Sequence, residues 1–298
     1  MDRIDPNDLM MFAYIVEQGS FKGAADRTGI PHSTISRRIM LLEAQLGEKL
    51  LHRTTRKITL TEFGKGALTH ARQITAEVEA AEELIQGRSP EPCGRLRISI
   101  PTDFTSDILG SLLTRFAVAY PKITLDIDVS RRRVDLVAEN FDLAIRIGSL
   151  PDDATLIARR VGTFHMGLYA SPSYLNEYGL PRHPDDLATH AILHLTQRFD
   201  ESMTLNLNWD QQNWKGKPER RVAANTPGVL MHMAMNGAGI VNLASHFARD
   251  NVQAGRLIGI LDKWQQPEIP IWAIVPGRRL LPVRTRTFID QLKADLSN

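Results

Sequence analysis

Residues 20–64 constrain this chain more than any other stretch. Before them, Leu9, Phe12, Ala13 and Val16 recur at i, i+3, i+4 and i+7, one face of a helix that Gly19 ends. Ser20 is placed to cap a second helix, in which Phe21, Ala24 and Ala25 share a face and the alanines allow close helix–helix approach. Gly29 permits the positive φ of a tight turn, and Pro31 favours an extended Ile30 and a fresh helix start. The third helix is expected to bury Ile35, Ile39, Leu42 and Leu46. Its other faces then carry His32, Ser33, Thr34, Ser36, Arg37 and Arg38.

Two short helices across a tight turn are the geometry that lays the second helix in the DNA major groove. Hydroxyl side chains permit close approach there, and arginine can fork onto guanine or pair with phosphate. Beyond Gly47, the segment 50–61 alternates like a short hairpin, or wing, with Arg53, Arg56 and Lys57 near its tip. Between Arg27 and Lys57 the bases are Arg27, Arg37, Arg38, Lys49, Arg53, Arg56 and Lys57, against only Glu43 and Glu48. Taken singly, these residues also fit a solvated charged face on a small helical domain. Taken as one string, they make Ser20, His32, Ser33, Thr34, Ser36, Arg37, Arg38, Arg53, Arg56 and Lys57 the expected DNA contacts.

The whole chain has 298 residues and a net charge of +2, too little for a general polyanion binder. Nucleic-acid affinity must then come from local clustering, and phosphate contacts make it salt-sensitive. The single cysteine, Cys93, excludes an intramolecular disulfide and a cysteine-based zinc site. Residues 1–6 have no signal-peptide core and no membrane-length apolar run follows, so a cytoplasmic protein without a membrane partner is expected.

From Lys65 to Gln86 there is no proline. Ala67, Ala71, Ile74, Val78, Ala81 and Ile85 form an a/d heptad seam flanked by glutamates, which suits a dimer. A surface helix packed on its own domain is the alternative. Two recognition helices joined by such a seam would read a roughly palindromic operator. Residues 87–94 then form a hinge-like linker.

The remainder alternates strand and helix: strands at 95–100, 123–129 and 143–147, helices at 108–120 and 134–139, hence a parallel α/β sheet. Ligands sit beyond the carboxyl ends of such strands. That selects Thr102 and Asp103, then Ser130 and Arg131, then Arg146 and Gly148. Further on, Asn225 or Thr226 could cap a helix whose N–H groups attract anions. Each has a plainer use: residues 131–133 as a solvated turn, Arg146 in a carboxylate pair, Thr102 as a cap. The arginines favour an anionic effector such as a carboxylate.

Other signals carry less. Residues 237–242 break the dinucleotide fingerprint and follow a helix. His190 and His194 flank an apparent strand, which would not bring them as close as one helical turn does, and Met231, Met233 and Met235 fit helix packing. No cofactor, metal or catalytic constellation is expected, and the chain does not read as an enzyme.

The N-terminal string resembles the LysR-type transcriptional regulators: Phe12, Gly19-Ser20-Phe21, Ala24-Ala25, Ser33, Ser36, Ile39, Leu42-Glu43, Leu46-Gly47, Leu50, Arg53, Leu60-Thr61 and Gly64 match their pattern. Thr28, Pro31 and Leu51 depart from it, where leucine, a hydroxyl cap and phenylalanine are usual. The C-terminal region resembles the same family's effector domain through Leu96-Arg-Ile, Phe116, Tyr120-Pro121, Val134-Asp135-Leu136, residues 141–148, residues 168–172, Tyr174-Leu175 and residues 237–240.

The resemblance implies an α+β and α/β multidomain chain. A winged helix-turn-helix takes residues 1–64, a linker helix 65–88, and a two-lobed, periplasmic-binding-protein-like α/β effector domain 89–298. Its first lobe would hold 95–161 and 269–298, its second 162–268. It further implies promoter DNA, a homodimer assembling to a tetramer, a small effector between the lobes and RNA polymerase as partners. A regulator without an effector is the alternative, and a small-molecule carrier or enzyme the more distant one.

Overall fold

A computed structural model of the protein describes residues 4–53, 58–85, 91–102, 107–130, 132, 134–150, 156–196, 203–277 and 281–296. The N-terminal domain opens with helices α1 (Pro6–Gln18), α2 (Phe21–Thr28) and α3 (His32–Leu46). Each stops at a glycine with φ near +70°: Gly19, Gly29 and Gly47. That left-handed cap is strained for any residue with a Cβ. Asp5 caps α1, its Oδ1 accepting from the Asn7 N–H at 2.9 Å, and Ser20 Oγ accepts from the Gly23 N–H at 2.9 Å to cap α2. The core joins Met11, Phe12 and Ile15 of α1 to Ala24, Ile35, Ile39 and Leu42. The buried stripe of α1 is thus centred one position away from the expected one, with Leu9 and Val16 at its partly buried margins.

Strands β1 (Leu51–Arg53) and β2 (Ile58–Leu60) pair antiparallel, Leu51 opposite Leu60, as the two arms of a wing. Helix α4 runs from Glu62 to Ile85. Thr61 caps it, Oγ1 accepting from the Gly64 N–H at 2.8 Å, so the helix starts before the expected boundary at 64/65. Its first half packs on α1, and Ala71 is fully buried beside Leu68 in this domain's own core. Ala71 is therefore not available to an intersubunit seam, and Ala67 packs against the same core. Ile74, Val78 and Ala81 are half-buried in the single chain, and the Ile85 side chain lies outside the described residues.

The first lobe of the C-terminal region holds a five-stranded sheet ordered β4-β3-β5-β14-β6. Its strands are β3 (Gly94–Ile100), β4 (Ile123–Val129), β5 (Leu143–Ile147), β6 (Leu156–Phe164) and β14 (Ile269–Pro276). β3 runs parallel to β4 and β5, while β14 is antiparallel to β5 and β6. Helices α5 (Asp107–Ala119) and α9 (Val283–Leu296) cover one face, where Leu112, Phe116, Phe288 and Leu292 are buried. The helix expected at 134–139 is instead a single turn. Asp135 Oδ1 accepts from the Val137 and Ala138 N–H groups, and Asn140 at φ +57° ends the coil. β6 stays in this sheet to its end, Phe164 opposite Ile269, so the lobe extends past the expected limit at 161.

The second sheet is ordered β11-β8-β12-β7-β13: β7 (Met166–Ala170), β8 (Ile192–Leu195), β11 (Arg220–Ala224), β12 (Ile240–Ala244) and β13 (Ile258–Ile260). Helices α6 (Pro172–Tyr178), α7 (Pro227–Met235) and α8 (Ser245–Gln253) connect them. A separate hairpin, β9 (Leu205–Trp209) with β10 (Gln212–Gly216), buries Leu205 and Leu207 against Trp264. The chain passes from one sheet to the other twice, through His165 between β6 and β7 and through the segment leading into β14. This is the two-lobed α/β arrangement. Among the described residues no helix is long and apolar enough to cross a membrane.

Candidate DNA-binding and effector sites

The outer face of α3 begins without a side-chain cap. Pro31 stands at the N-cap position with no side chain to accept, and its carbonyl takes the Thr34 and Ile35 N–H groups at 2.9 and 3.1 Å. His32, Ser33 and Arg37 are exposed, Thr34 and Ser36 half-buried. The His32 ring rests edge-on against Phe21 at 5.6 Å, tying the start of α3 to α2. A helix start with exposed hydroxyls and a guanidinium one turn on presents both N–H donors and charge to an anion.

Arg38 does not share that face. Its Nη2 donates to Asp5 Oδ2 at 2.8 Å and its Nε to Asp8, so it fastens α3 to the start of α1. Arg27 also turns inward, pairing with Glu17 at 2.8 Å and Glu79 at 3.1 Å while lying 4.1 Å from the Tyr14 ring. Arg37 makes no ion pair among the described residues. Ser20 is occupied as the α2 cap. The Arg53 side chain, Arg56 and Lys57 lie outside the described residues.

Glu43 is a joint between α3 and the wing to which the sequence pattern assigned no role. It is almost fully buried between α3 and the wing. Oε1 accepts from the Leu50 and Leu51 N–H groups at 3.0 and 3.3 Å, and Oε2 meets Lys49 Nζ at 2.9 Å. Burial alone would raise its pKa. The Lys49 ammonium and the two N–H donors outweigh that and hold the carboxyl below its usual value. A polar residue amid the apolar spacing of α3 was the available signal. Gly64 completes the wing joint, because a Cβ there would overlap the Leu50 carbonyl oxygen.

In the first lobe, Thr102, Ser130 and Gly148 follow β3, β4 and β5, three adjacent strands, at one edge of the sheet. The Ser130 N–H donates to the Ile100 carbonyl at 3.0 Å and its hydroxyl to Asp128 Oδ2 at 2.9 Å. Gly148, at φ +88°, accepts from Trp272 Nε1 at 2.8 Å. Arg146 is half-buried and has no carboxylate within hydrogen-bonding distance among the described residues. It donates to the Ile145 carbonyl at 2.7 Å, Ser99 Oγ at 3.1 Å and the Arg132 carbonyl at 3.3 Å. It thus joins the centre of the sheet to the loop after β4, and burial pulls its pKa below the ordinary arginine value. Arg132 itself pairs with Glu139 through both its terminal nitrogens. Asp103 and Arg131 lie outside the described residues.

In the second lobe Thr226 takes the N-cap position of α7, but its side chain makes no cap bond, and Asn225 is exposed beside it. His190 is buried, with Nδ1 3.1 Å from the Tyr174 hydroxyl, which also accepts the Ala191 N–H at 2.9 Å. Burial lowers the pKa of both His190 and His194. Met231, Met233 and Met235 pack around Leu230 and Ala234.

The match to known proteins spans the chain. Residues 6–65 fit the family described as bacterial regulatory helix-turn-helix protein, lysR family, and residues 89–297 fit the LysR substrate binding domain. An HTH-type transcriptional regulator of Xanthomonas campestris pv. campestris is 36% identical over 98% of this chain and 86% of its own. The structure of CrgA, a LysR-type regulator from Neisseria meningitidis, superposes with a TM-score of 0.63 at 29% identity, covering 99% of this chain and 100% of that one. The full-length Vibrio cholerae virulence activator AphB superposes with a TM-score of 0.60 at 28% identity, covering 98% and 99%. With a helix-turn-helix presented by α2 and α3 and two α/β lobes behind it, this chain belongs to the LysR family of transcriptional regulators and carries that family's effector-binding domain.

Proposed function

We propose that the protein reads a roughly palindromic promoter site through paired α3 helices. Arg37, Ser33, Thr34 and Ser36 make the groove contacts, and the wing bases Arg53, Arg56 and Lys57 hold the flanking backbone. The observation that carries this reading is the division of labour on α3: Arg38 is spent on Asp5 and Asp8, which leaves Arg37 and an uncapped helix start facing outward. Dimerisation uses the part of α4 around Ile74, Val78 and Ala81, which its own domain leaves half-exposed. Dimers pair into tetramers, and a change in their spacing alters DNA bending and contact with RNA polymerase.

The effector is a small anion bound between the lobes. Support comes from Thr102, Ser130 and Gly148 at one sheet edge, with Arg146 behind them lacking a carboxylate partner among the described residues. The start of α7, where no side chain caps the helix, supplies N–H donors on the other lobe. Such an effector acts only by binding one assembly geometry more tightly than another.

Footprinting the protein upstream of its own gene at two salt concentrations tests the DNA reading. A salt-sensitive footprint longer than one pair of half-sites is expected. Arg37→Ala should weaken it by about 1–3 kcal/mol without lowering the melting temperature. Unchanged affinity for Arg37→Ala would remove α3 as the reading helix.

A further inference from the structure

A cavity of about 300 Å³ lies where the DNA-binding domain, α4 and the first lobe meet. It opens at the start of β3, the opposite end of that strand from Thr102, and so is separate from the interlobe cleft. Its volume is at the small end of the roughly 300–1,000 Å³ usual for ligand sites. Five arginines line it: Arg27, Arg72, Arg95, Arg97 and Arg284.

Most of the charges there are already matched. Glu79 sits between Arg27 and Arg284, at 3.1 and 3.2 Å, and Glu17 takes Arg27 at 2.8 Å. Arg95 pairs with Asp126 and Glu91 with Lys122, while Asp142 accepts the neutral Arg97 backbone N–H at 2.9 Å and keeps its charge. Two guanidinium groups, those of Arg72 and Arg97, have no carboxylate within hydrogen-bonding distance among the described residues. The Arg97 guanidinium lies 4.5 Å from the Phe141 ring, and among the described residues its one hydrogen bond goes to the Glu139 carbonyl, at 3.0 Å. Arg72 keeps 21% of its side chain exposed, and its one ion-pair contact among the described residues is Glu17 at 3.8 Å, beyond hydrogen-bonding range. Burial and the like charges of Arg95 and Arg97, offset in part by Glu17 and Asp142, pull the Arg72 pKa below its ordinary value.

Holding a largely buried guanidinium without a hydrogen-bond acceptor is costly, and its planar fork matches the two oxygens of a carboxylate or phosphate. We propose that this junction cavity binds a small oxyanion, gripped by Arg72 of α4 and faced by Arg97 of β3. The ligand bridges the helix that carries the DNA-binding domain and the first strand of the sensor. By linkage it therefore couples to any DNA state that changes the angle between them. Thr69, Arg72, Gln73, Ala76 and Glu79 form one stripe of α4, on the side opposite Ile74, Val78 and Ala81. A dimer made through the latter leaves the cavity open.

Cys93, exposed on the cavity wall and the only cysteine in the chain, supplies a local reporter. Alkylation of Cys93 in the full-length protein is followed against inorganic phosphate in one series and succinate in another, at constant ionic strength. Saturable slowing by phosphate assigns a phosphate-bearing ligand, and saturable slowing by succinate alone a carboxylate. In either case Arg72→Gln and, separately, Arg97→Gln should raise the half-protecting concentration at least tenfold. Arg115→Gln, the same charge loss at an exposed site on α5, should leave it unchanged. Labelling that neither anion slows, or protection that survives both substitutions or is lost equally in Arg115→Gln, overturns the proposal.

Discussion

Arg37 and Arg38 are neighbours in sequence, yet a step of about 100° around the helix gives them different environments. Arg38 meets two carboxylates at the start of α1, and Asp8 is left largely buried if the guanidinium is removed. Arg38→Ala should therefore lower the stability of the DNA-binding domain by about 1–3 kcal/mol, read as a fall in melting temperature before any DNA is added. A stable variant that merely bound DNA less tightly would return Arg38 to the groove. Glu43 gives a pH-dependent test at the same scale. Its carboxyl titrates lower in the folded protein than in the unfolded chain, so its contribution is fully present above the unfolded value of about 4.3. That contribution is lost as pH falls through the folded value. Glu43→Gln should be less stable than the parent at pH 7, and the gap should narrow below about pH 4. A gap that widens on acidification would contradict the pairing with Lys49, Leu50 and Leu51.

At the scale of elements, the wing is joined to α4 by contact between main chains. The Gly64 backbone lies so near the Leu50 carbonyl that Gly64→Ala must push β1 from the helix, at a cost of about 1–3 kcal/mol. If the wing holds the flanking backbone as proposed, footprints of that variant should lose protection on the flanks before the centre. Equal loss across the site would point to global unfolding instead. Elements of this kind were legible in the sequence where the signal is local. The glycines at 19, 29 and 47 stop their helices by their own backbone freedom, and β3, β4 and β5 announce themselves by alternation. What escaped was set by partners distant in sequence. Residues 134–139 stand between two strands, where the alternation calls for a helix, but the Asp135 carboxylate and left-handed Asn140 close the segment after one turn. Ala71 fits a heptad, yet α1, more than fifty residues upstream, already covers it. The inward turn of Arg38 likewise depends on Asp5 and Asp8, and no periodicity within α3 could reveal it.

Across the whole molecule, one chain of charges links the DNA-binding domain to the sensor. Glu17 of α1, Arg27 of α2, Glu79 of α4 and Arg284 of α9 follow one another at 2.8, 3.1 and 3.2 Å. Arg284 is the most enclosed member, with 12% of its side chain exposed, so solvent screens this end of the ladder least. Such a ladder resists relative movement of the two domains without needing a large apolar interface between them. Replacing Glu79 by glutamine leaves Arg27 and Arg284 facing each other across a neutral amide, converting an attractive link into a weakly repulsive one. Amide hydrogen exchange should then accelerate in α2, in the second half of α4 and at the start of α9. The sheet of the second lobe, which touches none of these residues, should exchange at its original rate. A uniform acceleration would mean that Glu79 supports the fold as a whole. No change at all would mean that packing, and not this ladder, holds the DNA-binding domain against the sensor.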